Sequence, residues 1–310
     1  MSRVLVCCAD DFGICVERDR GILDALDQCA VLTDVSVIVN GTSFTRCSAA
    51  DAAERAASLL QRLSSRPVNI GLHFNITEFA PCAPSTRPFR GKLPLLAALD
   101  QLDAAEIEAE LRAQLCRFGE LFNGRVPSHI DGHNHVHVFP RVRDVVARVA
   151  AELAIGRVCL PLEHALVSSA SAIDCDALCK QLAQHATPRD SMPVQGEYCH
   201  VVTKFALDAE RVFRAHSLVV CDAFVGMMLH RHCDTAENAE RHVLEQIDAA
   251  FAQPNVRIVE LMCHPGRCAP DSDNDVDAFA KSIAREVELE MLIRMSASDS
   301  PQQKKLKNQP

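Results

Sequence analysis

Short apolar segments alternate along the chain with longer segments whose apolar residues recur at helical spacing. The apolar segments are nearly continuous, which is typical of parallel strands covered on both faces. They are VLVCC at 4–8, VSVIV at 35–39, VNIGLHF at 68–74, RVCLPL at 157–162, AFVGMML at 223–229 and RIVELMC at 257–263. The helical pattern is clearest over 103–122, and it predicts further helices at 17–30, 49–63, 143–154, 173–187, 235–252 and 277–293.

The repeated order of strand, helix and strand predicts an α/β fold in which parallel strands are joined by right-handed crossovers. About seven such units, with no glycine-rich phosphate loop after the first strand, favour a TIM-like distorted (β/α) barrel with outer helices over an open sheet. We therefore predict a single barrel domain over 1–295. The polar residues 296–310 are predicted to form a disordered tail.

Two regions interrupt this alternation. Residues 80–98 are rich in proline, and residues 164–205 contain no clear strand pattern. Long loops of a barrel are usually functional, so we expect both regions to be loops that contribute to the wall of a site.

The segment HIDGHNHVHVFP, at 129–140, places ionisable residues at every second position. In an extended strand, alternate side chains share one face, and an ionisable face makes a poor core. That face is therefore expected to meet water or a polar cavity, and an edge strand with surface histidines stays open as the simpler interpretation. The residues concerned are His129, Asp131, His133, His135 and His137.

Polar side chains also stand where other apolar segments end. Asp10 and Asp11 follow the segment at 4–8, and His264 follows the segment at 257–263. His73 is the residue before the last in the segment at 68–74. Each has an ordinary interpretation by itself: a helix cap for the aspartates, a hydrogen-bonded core residue for His73, a strand-end residue for His264. The carboxyl ends of parallel barrel strands meet at one face, so together with the histidine segment these residues predict a catalytic metal centre.

One carboxylate and two imidazoles would leave coordination positions open for water and substrate. Such a donor set fits a hydrolytic divalent ion better than a structural one. Adjacent aspartates at a strand end point in different directions, so that one can bind the ion while the other remains free as a base.

The charge and cysteine content narrow the class of protein. A formal net charge of −9 argues against nucleic acid and anionic membrane surfaces as partners. The apolar segments are too short to span a bilayer, and the N-terminus shows no secretory pattern. We therefore expect a cytoplasmic protein in which most of the fifteen cysteines are free thiols.

Six motifs, in this order, resemble the YdjC family of carbohydrate deacetylases, which includes chitooligosaccharide deacetylase. They are ADDFG at 9–13, LTDVSVIVNG at 32–41, GLHFNITE at 71–78, PSHIDGHNHVHVFP at 127–140, DAFVGM at 222–227 and ELMCHPG at 260–266. The DAFVG and LPLE elements resemble eukaryotic members most. The resemblance implies a TIM-like barrel, a small N-acetylated carbohydrate as substrate, and a divalent ion, with Mg²⁺ expected and Zn²⁺ as the alternative. It is also compatible with a homodimer.

Carried onto this sequence, the resemblance implies that Asp11, His73 and His133 bind the ion. It also implies that Asp10 is the catalytic base that takes a proton from the attacking water. His264 stands where a general acid is expected, and it would protonate the departing amine. The products would be acetate and a free amino sugar.

The remaining site candidates are expected to orient a ligand or to contact substrate. They are His129, Asp131, Asn40, Asn75 and Arg157. Family members often have a basic residue before the LP of the strand at 157–162, where this chain has Cys159. Arg157 would lie on the same face of that strand and could replace it. His135 and His137 are interpreted as structural residues or as parts of the substrate wall.

Two other functions stay open at this stage. One is metal-dependent hydrolysis of a phosphoester or a non-sugar amide at the same site. The other is a non-catalytic metabolite-binding protein that keeps the fold.

Overall fold

Seven parallel strands with helices between them are found in a computed structural model of the protein, which describes residues 3–89, 91–184, 195–268 and 281–297. The strands are β1 (Val4–Phe12), β2 (Asp34–Val37), β3 (Asn69–Phe74), β4 (His129–Gly132), β5 (Arg157–Val158), β6 (Ala223–Val225) and β7 (Ile258–Cys263). Their hydrogen-bonded order is β5-β4-β3-β2-β1-β7-β6. This arrangement confirms the predicted α/β class and is consistent with a TIM-like distorted (β/α) barrel.

The helices follow the predicted pattern in most places. They are α1 (Val16–Gln28), α2 (Thr42–Thr45), α3 (Ala49–Ser65), α4 (Lys92–Ala97), α5 (Ala104–Leu121), α6 (Val142–Glu152), α7 (Val167–Ala170), α8 (Cys175–Gln184), α9 (Gln195–Ala215), α10 (Ala236–Ala252) and α11 (Ala284–Ala297). Short 3-10 helices span Leu99–Gln101, His133–Val138, His164–Leu166 and Leu229–His232. Within the described ranges, no helix is both long enough and apolar enough to cross a membrane.

The chain divides into two compact units. Unit 1 is drawn from Met1–Gly71 and Cys221–Pro310, and unit 2 is Leu72–Val220. The predicted single domain over 1–295 stays a prediction. Of the predicted tail, Ser296 and Ala297 are the last residues of α11, and 298–310 lie outside the described residues.

In unit 1, β1 is the central strand and pairs in parallel with β2 on one side and with β7 on the other. β7 in turn pairs with β6. α1 and α10 each pack against α11. Val35, Val37 and Leu261 are completely buried, which explains why these strands show continuous rather than alternating apolar character.

In unit 2, β4 pairs in parallel with β3 and β5. Leu72 lies opposite Ile130, and His73 lies opposite Asp131. α6 packs against both α5 and α9. Leu72, Ile130 and Val158 are completely buried. His73 and Asp131, the next pair along the two strands, therefore directly follow a buried apolar part of the sheet.

The expectation that the histidine segment is one extended strand is wrong. β4 ends at Gly132, and residues 133–138 form a 3-10 helix in which Asn134 (φ 53°) and His135 (φ 56°) are left-handed. The five ionisable residues therefore do not share one face. The period of two in the sequence was a weak signal because Gly132 and Asn134 interrupt the apolar residues at the intervening positions.

Within 164–205, the helix predicted at 173–187 agrees with α8, whereas the expectation of a long loop is wrong for α7 and for the first half of α9. α9 buries Val201, Val202, Phe205 and Ala209 at helical spacing. Polar residues of the preceding segment obscured this periodicity in the sequence.

All fifteen cysteines lie within the described residues, and each is a free thiol. Most are buried, and burial raises the pKa of the Cys15 thiol to about 11 and that of the Cys29 thiol to about 12. These thiols behave as small apolar core residues rather than as thiolates.

Close approach of two backbones in unit 1 gives a testable prediction about glycine. A Cβ at Gly21, in α1, would overlap the backbone of Gly266, whereas the nearest atom to a Cβ at Gly119, in α5, is 4.0 Å away. Gly21→Ala is expected to destabilise the protein by about 1–3 kcal/mol because no space exists for the methyl group. Gly119→Ala is expected to stabilise it by about 0.5–1 kcal/mol.

Urea and thermal unfolding of both variants against the parent protein measure this difference. Equal shifts for the two substitutions would show that the contact between Gly21 and Gly266 is not as tight as described.

Candidate functional site

The end of β1 carries Asp10 and Asp11, both buried. The register of β1 with β2 shifts between Ala9 and Phe12, so that β1 contains one extra residue there. Asp11 adopts a left-handed backbone, with φ 72°, a conformation that aspartate tolerates better than most residues. Such a bulge turns successive side chains away from strict alternation, which is how two adjacent carboxylates can take different directions.

Gly13 closes the ADDFG motif in a conformation that requires glycine. Its φ is 103°, and a Cβ would overlap the carbonyl oxygen of Ile38. Its N–H donates a 2.6 Å hydrogen bond to Oδ1 of Asp19. Oδ2 of Asp19 lies 3.6 Å from the guanidinium of Arg55, yet burial raises the pKa of Asp19 to about 7. The loop after β1 is thus held by a carboxylate from α1.

Arg18 links the ends of β1 and β7. This fully buried guanidinium lies 3.5 Å from Oδ2 of Asp11, and its Nη1 donates to the carbonyl oxygen of His264 at 3.4 Å. Arg18 was not among the predicted site residues. The signal in the sequence was its spacing, since Arg18 falls on the same face of α1 as the buried apolar residues Ile22 and Ala25.

His264 directly follows β7 and is partly exposed. Its backbone N–H donates to Oε2 of Glu288 at 2.5 Å, and its ring Nδ1 lies 3.9 Å from the same oxygen. Oε1 of Glu288 pairs with Arg285 at 2.7 Å, and both of these charged residues are buried. Neither residue was among the predicted site residues, because two opposite charges three residues apart on a helix are ordinarily a surface feature.

In unit 2, the neighbouring ends of β3 and β4 hold a buried imidazole and a carboxylate in contact. Nδ1 of His73 lies 2.9 Å from Oδ1 of Asp131. An ionised carboxylate can only accept, so Nδ1 of His73 carries the hydrogen of this contact. A carboxylate that orients a histidine in this way is the usual support of a metal ligand.

His133 is buried beside this pair, immediately after β4. Its ring centroid lies 5.6 Å from that of His73, in an edge-on arrangement. Its Nε2 lies 3.4 Å from Oε1 of Glu78, which belongs to the GLHFNITE motif but was not among the predicted site residues. Two buried imidazoles this close could hold a metal ion.

His129 is the first residue of β4. Its Nδ1 lies 2.9 Å from Nη2 of Arg157 and 2.9 Å from Oγ of Ser128. A guanidinium can only donate, so Nδ1 of His129 is an acceptor and the hydrogen of the neutral ring is on Nε2. The structure therefore brings Arg157 to His129, and the idea that Arg157 replaces the family's basic residue stays a prediction.

Asn75 organises the turn after β3. Its side-chain oxygen accepts from the N–H groups of Thr77 and Glu78, at 3.0 and 3.2 Å. Its backbone N–H donates to Gln114 of α5 at 3.1 Å, and Gln114 donates back to its carbonyl at 2.6 Å. Asn40, the other predicted asparagine, is buried in the turn after β2 in unit 1.

A hydrogen bond in the core favours the structural interpretation of His137, whereas the choice for His135 between a structural residue and the substrate wall stays a prediction. Nε2 of His137 donates to the carbonyl oxygen of Cys159 at 3.0 Å. Burial lowers the pKa of His135 to about 3 and that of His137 to about 4, so both rings are neutral near pH 7. A Cβ at Gly132 would lie 2.7 Å from Nδ1 of His137, which explains the glycine immediately before His133.

Each unit thus assembles part of the predicted site. Unit 2 brings together His73, Asp131 and His133, whereas unit 1 places Asp11 against Arg18, which also contacts the backbone of His264. A common ion for Asp11 and the two histidines remains a prediction.

Comparison with known proteins identifies the family. A family model described as YdjC-like protein matches residues 4–301. This chain belongs to the YdjC family. The predicted resemblance is confirmed.

Relatives in the YdjC family carry deacetylase names. A mouse carbohydrate deacetylase is 34% identical over 307 residues, covering 93% of this chain and 87% of that protein. The Danio rerio carbohydrate deacetylase is 31% identical and covers 84% and 81%. A chitooligosaccharide deacetylase of Salmonella paratyphi B is 36% identical over 160 residues, covering 50% and 58%. As the DAFVG and LPLE elements predicted, the vertebrate proteins match more of the chain.

A solved structure from Enterococcus faecalis V583, whose description concerns cellobiose-phosphate cleavage, has the same fold. Its TM-score is 0.64, with 18% identity, covering 99% of this chain and 94% of that one. At this identity the likeness supports the architecture of the YdjC-family chain and nothing about its chemistry.

The buried Asp19 gives a pH-dependent prediction. Its pKa is raised from 3.8 to about 7 by burial, so the folded state binds this proton more tightly than the unfolded state. Its stabilising contribution is complete below about pH 4 and is lost as the pH rises through about 7. Because each pKa unit corresponds to about 1.4 kcal/mol, the loss should reach a few kcal/mol.

Urea unfolding across this pH range, in chelator, should show a decline in stability that Asp19→Asn removes. Asp27→Asn, on an exposed position of the same helix, is the matched control and should keep the decline. The same decline in all three proteins would mean that Asp19 is ionised throughout.

Proposed function

We propose that this YdjC-family chain is a carbohydrate deacetylase, a metal-dependent hydrolase that removes acetyl groups from N-acetylated sugars. The reaction would release acetate and an amino sugar. The observation that carries the proposal is the Asp131–His73 pair beside His133, in a chain similar over most of its length to carbohydrate deacetylases.

The donor chemistry fits a divalent ion held by Asp11, His73 and His133. All three are buried, and they stand at or just beyond the carboxyl ends of β1, β3 and β4. Carboxyl ends of parallel strands meet at one edge of a sheet, which is where this class of fold builds its sites. The family resemblance favours Mg²⁺, and the two imidazoles are also ordinary ligands of Zn²⁺.

When bound, a divalent ion would polarise the acetamide carbonyl and lower the pKa of a bound water. Asp131 would keep the hydrogen of His73 on Nδ1. Nε2 of His73 would then coordinate the ion through its lone pair. Asp10 would accept the proton of the attacking water on its carboxylate. His264, partly exposed after β7, would then transfer a proton from its ring to the departing amine.

Glu288 and Arg285 support this role of His264. Glu288 fixes the backbone N–H of His264, and its own charge is balanced by Arg285 at 2.7 Å. A negative carboxylate 3.9 Å from Nδ1 favours the protonated ring that a general acid requires. Arg18 similarly balances the charge of Asp11 when no ion is bound.

The adjacent aspartates allow a matched test. Asp10→Asn is expected to lower acetate release from N-acetylglucosamine oligosaccharides by about 10²–10⁴-fold while metal content is kept, because only the base is lost. Asp11→Asn is expected to lower metal content as well as activity. Acetate release and bound metal should be measured on the same preparations.

Full activity of Asp10→Asn would remove the proposed base. Measuring phosphate release from phosphoesters in parallel separates deacetylation from the alternative hydrolysis. Acetate release without phosphate release would support the proposal, and the reverse result would replace it.

Ion binding itself predicts a stability change that does not depend on turnover. An ion present at about 100 times its dissociation constant stabilises the folded state by about 2.7 kcal/mol. The parent protein is therefore expected to melt at a higher temperature with Mg²⁺ or Zn²⁺ than with chelator. His73→Gln should abolish most of this difference, whereas His216→Gln, an exposed histidine after α9, should preserve it. An equal shift in both variants would place the ion elsewhere.

A further inference from the structure

Asn134 follows the candidate ligand His133 in a backbone conformation that few residues adopt. Both Asn134 and His135 are left-handed, with φ 53° and 56°. Asparagine tolerates this region better than most residues, but two left-handed residues in succession still cost free energy unless neighbouring contacts hold them.

Hydrogen bonds hold both the side chain and the backbone carbonyl of Asn134. Its side-chain Nδ2 donates to Oγ1 of Thr77 at 3.1 Å and lies 3.5 Å from Oε1 of Glu78. Its backbone carbonyl accepts from the hydroxyl of Tyr198, in α9, at 2.5 Å. Tyr198 is buried, so its hydroxyl is directed at this carbonyl by the packing of the ring.

Thr77 carries the connection on to β3. Its hydroxyl donates to Oδ1 of Asn75 at 3.1 Å, which leaves its oxygen free to accept from Asn134. Asn75 is itself fixed by Gln114 of α5. A directed series of hydrogen bonds therefore runs from Asn134 to the turn that follows His73.

The hydrogen bonds of Asn134 lie just beyond the last backbone pairing between β3 and β4. The last paired residues of β3 and β4 are Phe74 and Gly132. His133 lies one residue beyond that pair, so the ladder alone does not fix its position relative to His73. The bond between Asn134 and Thr77 spans this gap.

We propose that Asn134, through Thr77 and Tyr198, is the positioning residue that holds His133 next to His73 at the spacing one ion requires. The inference rests on the proposed function, since it concerns the same metal centre. Asn134 does not bind the ion. It fixes the backbone that directs the His133 ring, and without it the two imidazoles would have to be ordered at the moment of binding.

Thr77 offers a matched pair of substitutions. Thr77→Val removes the hydroxyl with little change of shape, whereas Thr77→Ser retains it. Thr77→Val is expected to weaken Mg²⁺ or Zn²⁺ binding by about 10–100-fold, and Thr77→Ser to bind within about threefold of the parent protein. Isothermal titration calorimetry on the full chain measures both.

Asn134→Asp tests the other end of the same hydrogen bond. Aspartate also tolerates the left-handed backbone, but it cannot donate to Thr77 and it adds a carboxylate near Glu78. We expect affinity to fall at least 10-fold, with the chelator-state melting temperature changing much less than that of Gly21→Ala. A purely structural residue would instead shift the melting temperature in chelator and leave the affinity unchanged.

Tyr198 provides a spectroscopic measurement besides affinity. The chain contains one tyrosine and no tryptophan, so its near-ultraviolet tyrosine signal arises from Tyr198 alone. Adding the ion should change this signal in the parent protein because the carbonyl that it contacts adjoins His133. The change should be lost in Thr77→Val and kept in Thr77→Ser.

The outcomes separate this inference from the proposed function. If the parent protein binds no divalent ion, the metal centre fails and the positioning role fails with it. If the parent binds an ion that His73→Gln does not, but Thr77→Val and Asn134→Asp bind as tightly as the parent, the positioning role alone is overturned. Weak binding by both, with tight binding by Thr77→Ser, supports it.

Discussion

The contact between His73 and Asp131 is the constraint on which the candidate site of this YdjC-family chain depends. It exists because β3 and β4 pair in a register that places these two residues side by side, above the buried pair Leu72 and Ile130. Burial makes the pairing obligatory, since neither group could leave water without a partner. The same pairing directs Nδ1 of His73 at Asp131, and so relates strand register directly to ligand chemistry.

At the end of β1, an irregular backbone determines where the site side chains lie. The bulge at Asp10 and Asp11, the left-handed φ of Asp11 and the close approach at Gly13 are each costly, and they occur together. Such costs persist where surrounding contacts fix them, here the buried guanidinium of Arg18 and the carboxylate of Asp19. Arg18 and Asp19 of α1 thus hold Asp11 and Gly13 in a backbone shape that an undistorted strand could not provide.

Much of the fold was predictable because its signals are local. Continuous apolar segments marked the buried strands, and helical spacing marked α5 and α10, whose limits agree with prediction to within a residue or two. The histidine segment shows where local signals fail. Its period of two suggested a strand through His137, but the chain turns at Asn134 and His135, and contacts with Tyr198 and Thr77, distant in sequence, hold that turn.

By itself, the sequence determined the parallel α/β class, the YdjC family and the residue types available for chemistry, because periodicity and motifs are properties of neighbouring residues. Only the tertiary structure decided which of those residues meet. It paired His73 with Asp131 and His129 with Arg157, and it left His137 hydrogen-bonded in the core. The physical reason is that hydrogen bonds between buried polar groups depend on strand register and on backbone turns, which are fixed by packing across the whole unit.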